Sequence, residues 1–199
     1  MQALKIIGIV LLVSISLFML VWMPDHFSFL GEQASIRWGY RLGLGLHVFA
    51  AGLALIAGPI LFWARFREQP LAFHQPLGIA YRLSCLLAGL SGLFFMAFAR
   101  IEFLEVICFL FLNLFWLLTI LMAIQKGKAG DLAANRRWLL RSFSLTFSVV
   151  TLRILLFFFF NESDSTIHPI VFWLAWVPNL FFTELYICRE LKAAQKATA

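Results

Sequence analysis

Arg153 is the residue with the most chemistry to offer and the hardest to place. It lies inside an apolar run, residues 138–160, and a guanidinium keeps its charge in proteins. Holding that charge within a bilayer costs from about 3 to more than 10 kcal/mol, and an intramembrane arginine is read as functional by default. At about 1.5 Å per helical residue, Arg153 lies roughly 10 Å from the Phe157–Phe160 end of its run. His47, Asn113 and Asn179 come to similar or slightly greater depths in three other runs. These four residues are expected to line one interior polar pocket, with Arg153 held by His47, Asn113, Asn179 or Glu105. Five fixed donors would there grip an anion or an acceptor-rich head. Snorkelling towards Glu105 or lipid headgroups is the competing arrangement.

Three further patterns bear on chemistry. Arg82, Arg141 and Glu184 share a depth near the opposite surface and are expected to form an ion-pair cluster, since pairing lowers the cost of each charge. Asn135, Ser142, Thr146 and Arg153 fall within about 20° of one line at 100° per residue. That stripe is either a ligand or ion path or a hydrogen-bonded helix–helix seam. His47 sits on a small-residue face with Gly43, Ala50, Ala51 and Ala54, so it should face protein. Two-histidine haem ligation needs a second histidine at like depth. His168 lies at an edge, His26 in a loop and His74 on the other side, so haem is not expected and the cofactor stays unknown. No H-E-x-x-H, P-loop, G-x-S-x-G or dinucleotide fingerprint is present, so no catalytic residues and no metal ligands are assigned. Cys85, Cys108 and Cys188 lie in or at the edge of apolar runs and read as inert thiols rather than a disulfide or metal set.

The elements that must position these groups are membrane spans. Of 199 residues, 62% are hydrophobic and only 13% charged, against about 25% charged in a soluble domain. Mean hydropathy is +0.91. The expected architecture is an all-α, six-transmembrane-helix bundle forming one membrane domain, with spans at about 4–23, 40–64, 77–98, 103–124, 138–160 and 167–188. The first run is too long for a signal peptide and lacks a small-residue cleavage site before Pro24, so it reads as a retained helix. Gly39 and Gly43 form a G-x-x-x-G that favours close helix approach. Pro178 should kink the last span. Trp22, Trp38, Trp63, Trp138 and Trp173 lie near expected interfaces. The net charge of +6 clusters at the ends of the apolar runs, which argues against nucleic-acid binding and for a topology signal.

Within this framework the chain resembles a bacterial family of predicted integral membrane proteins of unknown function. The resemblance spans roughly 40–190. It rests on His47, Gly58-Pro59, His74-x-x-x-Gly78-x-x-Tyr81, Trp116, Arg136-Arg137-Trp138 with Arg141-Ser142, Thr151-x-Arg153, and Trp176-x-Pro178-Asn179-Leu180 with Glu184. The family pattern carries histidine where this chain has Asn135 and a basic residue where it has Gln75. The family is loosely similar to membrane cytochromes that hold haem between helices.

These observations lead to a membrane protein of the bacterial inner membrane. Its first expected role is a redox-associated or quinone- or lipid-ligand-binding module built on His47, Asn113, Arg153 and Asn179. A small transporter or channel, or an accessory subunit of a larger complex, are the alternatives. With the N-terminus inside, the inner segments hold Lys5, Arg65, Arg67, Lys126, Lys128, Arg136, Arg137, Arg189, Lys192 and Lys196, and the outer ones only Arg37 and Arg100. This asymmetry puts both termini in the cytoplasm. A reporter active only in the cytoplasm should therefore be active when fused after Ala199 and silent after Asp164. The reverse result at both positions would invert the topology.

Overall fold

The structure is a computed structural model, and it describes residues 38–64, 74–99, 103–159 and 168–198. The expected first span at 4–23, the loop 24–37 and the loop 161–165 lie outside the described residues. So do Arg65, Arg67, Arg100 and Glu102. Among the described residues every regular element is helical. They are α1 (Trp38–Ala64), α2 (His74–Met96), α3 (Phe103–Lys128), α4 (Leu132–Thr146), α5 (Ser148–Phe159) and α6 (His168–Thr198). Five spans are long and apolar enough to cross a membrane: Trp38–Leu61, Gln75–Met96, Phe103–Lys128, Leu132–Leu156 and Ile170–Lys196. They correspond to the last five of the six expected spans.

The chain divides into two compact units, Met1–Glu102 and Phe103–Ala199. In the first, α1 and α2 pack as an antiparallel pair. Small residues allow them to approach closely. A Cβ at Gly43 would stand 2.8 Å from Phe94 Cδ1 and 2.8 Å from Phe95 Cβ, and a Cβ at Gly39 would stand 3.3 Å from the Phe98 ring. Ala50, Ala54, Ala57 and Ala88 continue the contact face and are buried. Without a hydrophobic drive between helices in lipid, such backbone approach and its dispersion contacts supply the association. The G-x-x-x-G at Gly39 and Gly43 is thus a packing device. Pro59 lies within α1 and Pro178 within α6. Both helices continue through their prolines.

The second unit is a three-span bundle. α3 ends and α4 begins on two adjacent residues. Gly130 adopts φ 76°, Gly130 N–H donates to Gly127 O at 3.2 Å, and Asp131 N–H donates to Lys126 O at 3.0 Å. This closes α3 in a Schellman turn, which needs the left-handed residue. The Asp131 carboxylate then accepts from Ala134 N–H at 2.9 Å and caps α4, satisfying one orphan donor. α3 and α6 run in parallel, with Phe109 against Phe172 and Phe115 against Trp176. α4 and α5 run antiparallel between the same ends.

The run expected as one helix over 138–160 is two helices that meet at Phe147. Ser144 Oγ donates to Arg141 O at 2.8 Å, Thr146 Oγ1 to Ser142 O at 2.9 Å and Ser148 Oγ to Leu145 O at 2.6 Å. These hydroxyls compete with backbone amides for the same carbonyls, which bends or tightens a helix. Val150 N–H accordingly bonds to Phe147 O, three residues back, at 3.0 Å. The α4 helix also begins at Leu132 rather than 138, because Asp131 supplies a cap there, and α6 extends to Thr198.

Gly43→Val should lower the denaturation midpoint of the detergent-purified protein, since overpacking costs about 1–3 kcal/mol. Gly45→Val, on the same helix but with nothing within 4 Å of its added Cβ, should change it little. Equal effects at the two positions would remove the close approach from the account.

Candidate functional site

The four residues expected to share a pocket fall in two units. His47 belongs to the first. It is held in the α1–α2 seam, with Nδ1 bonded to Ala88 O at 2.8 Å and its ring edge-on to Phe95 at 5.3 Å. Ser91 Oγ donates to the same Ala88 carbonyl at 3.2 Å. Asn113, Arg153 and Asn179 belong to the second unit, on α3, α5 and α6.

Register places these three at related levels. Asn179 on α6 faces Thr151 on α5, with Nδ2 donating to Thr151 Oγ1 at 2.9 Å. The same Nδ2 lies 3.0 Å from Ala175 O, the carbonyl one position beyond the one that Pro178 frees. Asn113 is buried and donates to Phe109 O at 2.9 Å within α3. Arg153 is half-buried, two residues beyond Thr151, so by helical geometry it leaves α5 on nearly the opposite side from Asn179. Among the described residues Arg153 makes no hydrogen bond and no ion pair. The structure therefore does not join Arg153 to Asn113, Asn179 or Glu105. Asn179 spends its donors on Thr151 and its own helix. Glu105 is buried in the first turn of α3.

The polar stripe of α4 is a seam. Asn135 Nδ2 donates to Ala123 O on α3. Trp116 Nε1, also on α3, donates to Thr146 Oγ1 at 3.0 Å. Ser142 is fully buried between them. The stripe stops at Phe147, where the helix breaks, so a constant 100° count from Ser142 to Arg153 does not carry across.

The opposite face of α4 reaches α6. Arg141 holds Glu184 with both Nε and Nη2, the latter at 2.8 Å, and its guanidinium lies 4.5 Å over the Trp138 ring. A bidentate pair backed by a ring face is the geometry that arginine favours over lysine. Arg82, the third residue expected in this cluster, belongs to the first unit and turns its Nε to Gly78 O at 3.1 Å. A second bridge, one level nearer the chain end, was not singled out from the sequence: Arg136 Nη2 donates to Glu190 Oε1 at 2.9 Å, and Tyr186 O–H donates to the same oxygen at 2.7 Å. The signal was available, because an antiparallel pair that joins 141 to 184 must also bring 136 near 190. Trp176 Nε1 completes the α3–α6 contact by donating to Cys108 Sγ at 3.3 Å. Among the described residues no group of three or more potential ligand side chains is placed to hold a metal ion.

Apolar helices long enough to span a bilayer, joined in their interior by hydrogen bonds and ion pairs, define an α-helical membrane protein. Residues 44–187 match the family described as Predicted membrane protein (DUF2306), and the chain belongs to that family. No curated protein and no solved structure matches the chain.

Thr146→Val removes the acceptor of the Trp116 indole in the α3–α4 seam and should cost about 1–3 kcal/mol. Thr146→Ser keeps the hydroxyl and should cost less. In a double-mutant cycle read by chemical denaturation, Trp116→Phe should shrink the Thr146→Val penalty. Strict additivity would mean that this hydrogen bond contributes nothing to the seam.

Proposed function

We propose that the second unit is a ligand-binding module of the bacterial inner membrane, in which Arg153 receives an anionic or acceptor-rich head. The ligand class is an acidic lipid or a quinone, the latter giving the protein a redox-associated role. In this reading both termini are cytoplasmic, six spans cross the membrane, and Arg153 lies in the outer half with Asn113 and Asn179 at related depth. The observation that carries it is the state of Arg153: half-buried on a membrane span, with no hydrogen bond or ion pair to any described residue. A cation at that depth requires acceptors, and Thr151 and Asn179, at a related level, bond to each other. The seam along α4 weighs against a transport path, since its polar groups bond to α3 or to their own helix.

Native mass spectrometry and absorption spectra of gently purified protein, followed by thermal denaturation with acidic lipid or quinone, test the reading. A ligand at about 100 times its Kd adds roughly 2.7 kcal/mol of stability. Wild type should show such a gain and Arg153→Leu should not. Arg153→Lys, which keeps charge but loses the planar fork, should regain only part of it. An Arg153→Leu variant equal to wild type in stability and ligand response would overturn the proposal. So would the same loss from neutralising Glu102, Glu162 or Asp164, which would make a loop carboxylate the partner. A stoichiometric Soret band abolished by His47→Ala would replace this reading with a haem protein.

A further inference from the structure

A second arginine that bonds to no described residue stands at the other end of the same unit. Eight basic residues gather there: Lys126 and Lys128 at the end of α3, Arg136, Arg137 and Arg141 on α4, and Arg189, Lys192 and Lys196 on α6. The described carboxylates at this end are Asp131, Glu184 and Glu190, and each is engaged. Asp131 caps α4. Glu184 takes two bonds from Arg141. Glu190 accepts from Arg136 and Tyr186.

Arg137 is half-buried rather than extended into solvent. It makes no hydrogen bond or ion pair among the described residues. It lies one turn before Arg141 on the same helix face, next in sequence to Arg136, so both flanking arginines have already taken the glutamates of α6. Its surroundings are those of a membrane boundary. Trp138 follows it, a residue type that settles at headgroup level. Leu132 and Leu191 expose apolar surface at the same end.

We propose that Arg137 binds the phosphate of an anionic phospholipid headgroup at this boundary. Lys126, Lys128, Arg189 and Lys192 supply the surrounding positive field. A planar fork of donors matches two phosphate oxygens, and apolar side chains beside it accept the acyl chains. The site lies roughly 24 Å of helix from Arg153 at 1.5 Å per residue, so the two proposals fail independently.

The test is native mass spectrometry of the full chain from mixed micelles of phosphatidylglycerol and phosphatidylcholine, with inorganic phosphate as a separate arm. Wild type should retain phosphatidylglycerol in preference to phosphatidylcholine. Arg137→Gln should lower that preference about fivefold, the effect of one basic residue near an anionic surface. Arg137→Lys should restore part of it. Lys196→Gln, the same charge change farther along the tail, should leave it unchanged. Denaturation midpoints in phosphatidylcholine alone separate lost binding from lost folding, and Arg137→Gln should match wild type there. Equal losses from Arg137→Gln and Lys196→Gln would show a diffuse field with no site and overturn the proposal. So would a preference unaffected by either variant. Displacement of the lipid by millimolar inorganic phosphate would identify a small-anion site and overturn the lipid assignment.

Discussion

Arg141 and Glu184 hold α4 and α6 together through a partly buried, bidentate ion pair. A charge withdrawn from water must find its opposite or a set of hydrogen bonds, and breaking a buried pair leaves the survivor uncompensated. The bidentate grip sets the antiparallel register of the two helices, and that register carries the second bridge from Arg136 to Glu190. Trp138 covers the Arg141 guanidinium from the side, while Glu184 stays partly exposed.

α4 is the middle layer of the second unit. One of its faces is neutral and polar, Asn135, Ser142 and Thr146, and meets α3 through a backbone carbonyl and an indole. The other is charged and meets α6. Both faces obey the same rule in different strengths: in lipid, polar groups become the adhesive because apolar surface has no reason to leave a hydrocarbon solvent. The first unit uses the complementary device. Its helices meet through missing side chains, at Gly39 and Gly43, and through Ala54 and Ala88, with His47 bonded to a carbonyl of the facing helix.

Arg153 and Arg137 are partly buried arginines that bond to no described residue. They occupy opposite ends of one three-span unit, and each is half-buried. In both proposals the acceptors come from the bilayer or from a membrane-soluble ligand.

Composition and hydropathy by themselves determined the membrane class, the five spans among the described residues and the basic end, because insertion into lipid depends on the sum of side-chain transfer energies over about 20 residues and needs no tertiary information. Family membership was equally legible, from Arg136-Arg137-Trp138, Trp176-x-Pro178-Asn179 and their order. The close approach at Gly43 could be read from spacing. The break at Phe147 could not, since four hydroxyl residues over 142–148 compete with the backbone only once the helix exists. Nor could the partition of polar residues among partners. Arg82, Arg141 and Glu184 share a depth in sequence, and the structure shows Arg141 bonded to Glu184 across α4 and α6. Asn179 and Arg153 share a depth as well, but helix rotation turns Asn179 towards Thr151 and Arg153 away. Depth is a one-dimensional property written in the chain, whereas pairing requires the azimuth of each helix, and that is set by packing against its neighbours.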